Sequence, residues 1–427
     1  MRKSWAVFML LLSLTFVRVV SAQDSTCDDA LPADANAEMY YSRAYDCYYD
    51  EKYGQAVDDY TRAIQLNPNF VDAYLGRGGA YYHLHDYENS FSDYNHAVEL
   101  SPRYADAYYG RALAQYRLER YEEALADYTR TLELDPGYTA AYTNRGLVYT
   151  ELGEYGRAIA EFDRALQDDP DNARTYLNRG YANQNAGNQT AAIRDYTRAI
   201  ELEPDYAIAY NNRGTVYEAL DDYDAALEDY THAIQADGDY AVAYRNRGDI
   251  RYRQDRYGDA IEDYNRAIEL NPNDAEAYSA RGRSYFGLDE YDNALNDLNR
   301  SIELDAQESY SYIRRANVYM ELERYDEALA DYRQAAVVNI ENSDAYWGMG
   351  NAYYALGNTS AALFNYEQYL TMEGAEADDF VRDRVDSIHT QFYTSIVGAV
   401  IVVVGIVFIV LRNLSRRRAP HPLGGSW

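Results

Sequence analysis

Between Ala37 and Glu376, apolar and polar residues follow a pattern that returns every 34 residues. A Tyr stands at 40, 74, 108, 142, 176, 210, 244, 278, 312 and 346, and no insertion or deletion disturbs the ten copies. A strict period of this length marks stacked supersecondary units. Numbering each copy 1 to 34 from Ala37, the pattern predicts a first helix over about positions 1–14 and a second over about 18–31. Ala, Leu, Glu and Arg dominate both stretches, and all are good helix formers. Pro falls at position 32 in six copies, Pro68, Pro102, Pro136, Pro170, Pro204 and Pro272, where it stops the second helix. Position 8 is Gly or Ala throughout, and position 20 is Ala in nine copies with Ser90 the exception. Such small residues let helix backbones approach, and Tyr recurring at 4, 17 and 24 fills the spaces between them.

Repeat six supplies Tyr210, Gly214, Tyr217, Ala226, Tyr230 and Ala233; repeat four supplies Tyr142, Gly146, Tyr149, Ala158, Phe162, Ala165 and Pro170. In these residues the chain resembles the tetratricopeptide repeat family. Repeat six departs at Gly238, and the last two copies carry Ile340 and Gly374 in place of Pro, with Tyr369 at the small position 27. Terminal repeats are expected to be atypical. The resemblance implies an all-α fold: a right-handed α-solenoid of ten helix-turn-helix repeats over 37–376. It implies binding and scaffolding rather than catalysis, with first helices lining a concave face where protein or peptide partners bind.

The ends have a different character. Residues 1–22, MRKSWAVFMLLLSLTFVRVVSA, have a basic start, an apolar run from Trp5 to Val17 and a small-residue finish. That reads as a secretory signal peptide, with an uncleaved anchor as the alternative. Residues 23–36 form a short N-terminal segment. Residues 392–411, FYTSIVGAVIVVVGIVFIVL, carry no charge and suffice to cross a bilayer; Arg412, Arg416, Arg417 and Arg418 follow. Basic residues flank the cytoplasmic end of a span, so the expectation is a single-pass cell-membrane protein with its repeats extracytoplasmic and residues 412–427 as a cytoplasmic tail. Val381, Val385, Ile388 and Phe392 are spaced 4, 3 and 4, which predicts an amphipathic capping helix over 377–391.

Charge changes the picture of partners. The chain carries 70 acidic and 39 basic residues, a net −31, and seven of the basic ones (Arg2, Lys3, Arg18, Arg412, Arg416, Arg417 and Arg418) lie in the two end segments, 1–22 and 392–427. The repeat body is therefore more acidic still. It repels nucleic acid and anionic headgroups, and favours cationic partners or simple solvation. Cys27 and Cys47 would both lie outside the membrane, where disulfides persist. A bond between them would close a loop of about 20 residues, worth roughly 3 kcal/mol; two free thiols are the other reading.

Arg occupies position 7 in nine copies, broken by Met349, and Asp occupies position 23 in eight. Either the two form a ladder of structural ion pairs, or the arginines form a track for an anionic ligand, which the Asp ladder would neutralise. Asn at position 6 is confined to the four central repeats: Asn144, Asn178, Asn212 and Asn246. By the family resemblance this position faces the groove, where Asn suits the backbone of an extended peptide. Groove neighbours are Arg174, Asn211, Arg245 and Arg253; the first repeats present Tyr41, Tyr45, Tyr48, Tyr82, Tyr109 and Tyr116 instead. Ordinary solvated helix residues are the alternative throughout. Some family members grip a terminal carboxylate with a Lys, Asn and Arg clamp, but the Lys positions are unmatched here.

No catalytic or cofactor motif stands out. His83, His85 and Asp86 could hold a metal, though such a trio at a helix end is commonly solvated. Asn188, Asn299 and Asn358 open glycosylation triplets. The expected function is a membrane-anchored scaffold binding protein partners, with no enzyme activity, cofactor or metal. The alternative is a structural cell-surface component that self-associates through its solenoid.

Overall fold

The computed structural model describes residue 27 and residues 30–374 and 378–417, with side chains as far as 412. Residues 1–22, expected from their sequence to be a signal peptide, and the tail beyond 417 lie outside these residues. The chain forms two units, one ending at Glu203 and one beginning at Pro204. Each is built of helix pairs in the predicted register. In the first unit, repeat one pairs helices Ala37–Tyr49 and Tyr53–Leu66. In the second unit, repeat six pairs Ala207–Ala219 and Tyr223–Ala236. Second helices begin at position 17, one residue earlier than the pattern suggests.

The turn between paired helices has one geometry ten times over. Its second residue, position 15, has positive φ in every repeat: Glu51, His85, Glu119, Asp221, Asp255, Asp289 and Glu323, with Gly153, Gly187 and Gly357 in the other three. This left-handed residue ends the first helix, a place glycine normally takes. Side-chain caps open several helices, as where Asn36 accepts from the Met39 amide at 2.9 Å and Asp222 from that of Ala225 at 3.2 Å.

Cores form within and between repeats around the aromatic at position 24. Tyr60, Tyr94 and Tyr128 in the first unit, and Tyr230, Tyr264 and Tyr332 in the second, are almost wholly buried. Burial of one such ring contributes about 1.5–3 kcal/mol. Tyr94 shows why small residues face it. A Cβ on Gly78 of its own repeat would come within 3.2 Å of the ring, and one on Gly110 of the next repeat within 2.2 Å.

Polar pairing repeats as regularly as the packing. Arg43, Arg77, Arg111, Arg179, Arg213, Arg247, Arg281 and Arg315 each fork onto the Asp at position 23 of the same repeat, from Nε and Nη2. In repeat four, Arg145 pairs with Glu161 instead. The remaining Nη1 often reaches back to position 25 of the preceding repeat, as Arg77 to Thr61 at 3.0 Å and Arg281 to Asn265 at 2.6 Å. The same guanidinium lies over the position 4 ring, 5.7 Å from the centroid of Tyr210 for Arg213. These arginines are structural ion pairs, not a ligand track. Repeat ten replaces both members at once, with buried Met349 at position 7 and buried Asn365 at position 23.

Repeat ten has no following repeat, and the C-terminal helix Asp379–Arg417 takes its place. Val381, Val385 and Ile388 are buried against Ala362 and Tyr366, and Tyr369 packs into the same cluster. Phe392 does not belong to this face: it is 49% exposed. The helix continues unbroken through 392–411, whose residues are all exposed. At 1.5 Å per residue that stretch is about 30 Å long, the thickness of a bilayer core. Over this helix one window has a mean hydropathy of 3.0, long and apolar enough to cross a membrane by length and composition.

Candidate partner-binding face

On the first helix of repeat one, Tyr41, Tyr45, Tyr48 and Tyr49 fall on adjacent turns. With Tyr60 and with Leu75, Gly76 and Gly79 of repeat two they line a slot walled by aromatic rings. Ring centroids are 6.5 Å apart for Tyr41 and Tyr45, 4.6 Å for Tyr45 and Tyr49, and 5.6 Å for Tyr48 and Tyr49. Phe70 backs Tyr41 at 4.9 Å. Two glycines keep the floor low. The Tyr60 ring occupies the space beside Gly76, while a Cβ on Gly79 would stand 3.4 Å from the Tyr48 hydroxyl. That hydroxyl is buried with no hydrogen-bond partner among the described residues. Burial raises the Tyr41 and Tyr48 phenols far above their ordinary value, so both stay neutral.

The position 6 amides sit deeper than expected for groove donors. Asn144 is buried and donates from Nδ2 to the hydroxyl of buried Tyr109 at 2.7 Å. Asn246 donates to Asn211 Oδ1 at 2.9 Å, and Asn211 leans on Asn212 Oδ1 at 3.4 Å. Both main bonds run from position 6 of one repeat to position 5 of the repeat before. Arg314 follows the same rule, donating to Ser279 at 2.5 Å. Asn144 and Asn246 therefore staple neighbouring repeats through these amides. Asn178 is 3% exposed, and its Nδ2 has no hydrogen-bond partner among the described residues. Of the set, Asn212 alone keeps a half-exposed side chain free of an inter-repeat bond among those described.

Two of the three flanking arginines are occupied. Arg245 is held by Asp274 and Glu276 at 2.8 and 2.9 Å. Arg253 extends towards Glu218 at 3.5 Å. Arg174 is half-buried. At the other candidate centre, His83 stacks on Tyr53 at 4.6 Å and His85 meets the Tyr87 hydroxyl at 2.8 Å. The described residues contain no group of three or more His, Cys, Asp or Glu placed to hold a metal. Cys27 and Cys47 are joined by a disulfide with their Cα atoms 4.6 Å apart, and both are buried in the core of repeat one.

Sequence reasoning overlooked two features that carry weight here. One is the pairing of position 5 with position 6 of the next repeat, whose signal was the coincidence of Asn211 with Asn246 and of Tyr109 with Asn144. The other is that Gly76, Gly110 and Gly348 at position 6 each receive the preceding Tyr ring. Asn and Gly at this position are thus alternative ways of joining repeats.

Models of the tetratricopeptide repeat match residues 44–85, 185–221, 248–289 and 316–357, with related models covering 71–104, 92–193, 207–240, 275–308 and 343–375. The chain belongs to the tetratricopeptide repeat proteins, a family of scaffolds for protein–protein interaction. Among solved structures it is similar to the APC/C hetero-tetramer Cut9–Hcn1, at 16% identity over 82% of this chain and 76% of that one, with a TM-score of 0.50. It is also similar to a tetratricopeptide repeat protein from Parabacteroides merdae, at 22% identity over 57% of this chain and 97% of that one, TM-score 0.48. Yeast Tom70 shares 15% identity over 84% of this chain and 96% of that one, TM-score 0.40. At these identities the likeness is one of fold. The comparison with curated proteins returned no match.

Proposed function

We propose that this chain is a membrane-anchored scaffold that binds an extended segment of a protein partner on its first-helix face. The cluster of partly exposed Tyr41, Tyr45, Tyr48 and Tyr49 on the first helix of repeat one carries this reading, because large amphipathic rings gathered on one surface are characteristic of interfaces. Residues 1–22 act as a secretory signal, residues 392–411 span the cell membrane and residues 412–427 remain cytoplasmic. The uncharged helical stretch followed by Arg412 and Arg416 to Arg418 supports that orientation. Protease added to sealed spheroplasts then digests the repeats; full protection overturns the extracytoplasmic placement.

A photo-crosslinking residue at Tyr45, in the full chain in native membranes, tests the binding face. Crosslinks to a protein partner are expected there and not from Glu133, which lies exposed on a second helix with 58% of its side chain accessible. Absence of crosslinks from Tyr45 removes the face from consideration. Exposed Val337, Ile340 and Phe364 in repeats nine and ten favour a second reading, self-association, which sedimentation of the detergent-solubilised chain at rising concentration separates from the first.

A further inference from the structure

From Ala345 to Tyr366 the chain runs 22 residues without a charged side chain; the next longest such run between Ala37 and Glu376 is 180–193, with fourteen. The gap falls on repeat ten, whose helices are Ser343–Ala355 and Thr359–Glu373. The turn between them reads Leu356-Gly357-Asn358, where repeat nine has Leu322-Glu323-Arg324 and repeat eight has Leu288-Asp289-Glu290. This is also the repeat in which Met349 and Asn365 stand in place of the Arg and its acidic partner. The other nine repeats share its packing design and keep their charges.

The C-terminal helix Asp379–Arg417 runs antiparallel to Thr359–Glu373. Arg382 donates to the Gly374 carbonyl at 2.8 Å and His389 meets Glu367 at 3.6 Å, so seven residues forward on one helix match seven back on the other. The same register sets Phe364 level with Phe392, where the uncharged stretch 392–411 begins. Thr359 and the turn before it stand further along in that direction, Thr359 by about 7.5 Å at 1.5 Å per residue. The apolar side chains at this end face outward: Phe364 is 60% exposed and Leu356 43%.

We infer that Phe364 and the turn Leu356-Gly357-Asn358 lie in the lipid headgroup region, so that repeat ten is seated on the bilayer surface instead of being held above it. The inference rests on the membrane span proposed above and adds a second contact with the same surface. Charge beside hydrocarbon is costly, so a run free of it suits contact with lipid, and Met349 with Asn365 removes an ion pair next to Phe364. The turn's backbone suits that setting too. The amides of Leu356, Gly357 and Asn358 donate to the carbonyls of Ala352, Tyr354 and Tyr353 at 3.0, 3.0 and 2.9 Å, and the Asn358 side chain accepts from the Ala361 amide at 3.1 Å. Lipid is favoured over a protein as the occupant because the helix that packs on repeat ten is the one that carries the span. The chain itself brings the bilayer to this turn.

Nitroxide labels on single added cysteines test this in the full chain reconstituted into phosphatidylcholine vesicles, with the Cys27–Cys47 disulfide intact. The variants are Leu356→Cys, Phe364→Cys, Leu220→Cys in the matching turn of repeat six, and Val400→Cys within the span; all four native side chains are exposed. Power-saturation EPR compares collisions with oxygen, which is enriched in lipid, and with a water-soluble nickel chelate. The label at 356 is expected to lose most of the nickel access found at 220 while keeping its oxygen access. The label at 364 should fall between them, and the one at 400 should lose nickel access altogether. Equal nickel access at 356 and 220, with 400 shielded, overturns the seating and leaves the span in place. Nickel access at 400 overturns both. Loss of nickel and oxygen access together at 356 marks a protein contact there, self-association included, and equally overturns the inference.

Discussion

Arg213 and Asp229, sixteen residues apart, meet across the two helices of repeat six. Nε and Nη2 of the arginine donate to the two carboxylate oxygens at 2.9 and 2.7 Å. The Asp229 side chain is only 3% exposed. Arg213→Met alone therefore strands a buried carboxylate, a change that costs about 3–5 kcal/mol. The double change Arg213→Met with Asp229→Asn recreates the Met349 and Asn365 pair of repeat ten, and should recover all but about 1–2 kcal/mol. Hydrogen exchange of the repeat six amides reads the effect locally. A double variant as unprotected as the single one would show that the pair is not the unit of stability.

Asn144 and Asn178 occupy the same position of neighbouring repeats and should respond oppositely to loss of the amide. Asn144→Leu leaves the buried Tyr109 hydroxyl without its 2.7 Å partner and should destabilise by about 1–3 kcal/mol. Asn178→Leu removes a buried Nδ2 that has no partner, and should be neutral or stabilising by about 1 kcal/mol. Thermal unfolding of the two variants side by side decides it; equal losses would show that Asn178 is satisfied by water.

Position 15 offers a stabilising substitution. Glu323 sits at a φ of 57°, where a side chain crowds the backbone and glycine does not. Glu323→Gly should raise stability by up to about 1 kcal/mol after glycine's own entropy loss. The same change at exposed Glu122, inside the second helix of repeat three, should lower it by a similar amount. Melting temperatures moving in opposite directions are the expected result.

His83 makes the first two repeats sensitive to acid. Burial holds its imidazole below the ordinary value of 6.5, with His85 adding to the fall and Glu51 opposing it. The folded state thus binds fewer protons than the unfolded chain just below that pH, so stability is present above it and is lost as pH falls through it. His83→Phe keeps a ring against Tyr53 and should flatten this slope. Hydrogen exchange of the first helix of repeat two at pH 7.5 and pH 5 checks it, and an equal loss in both proteins would exclude His83 as the cause.

The 34-residue period settled much by itself. It fixed the number of helices in the repeats, their approximate bounds and the small residues beneath each aromatic, because each copy repeats the same local problem of burying one face. The apolar stretch 392–411 was equally legible, since spanning capacity depends on length and composition alone. Ion pairing between positions 7 and 23 could be named as one of two readings, but the choice needed the fork geometry of pairs such as Arg213 and Asp229. Which side chains remain open to a partner was not legible. Asn144 and Asn246 look like groove donors on a helical projection, yet Tyr109 and Asn211 of the preceding repeats claim them. Tyr41, Tyr45 and Tyr48 could be named as groove residues, but that Tyr49 joins them in one cluster, closed from behind by the Tyr60 ring against Gly76, is set by the neighbouring helices. Burial and pairing at those positions depend on the neighbouring repeat, some 34 residues away, and a pattern within one helix holds no information about what the next helix sets against it.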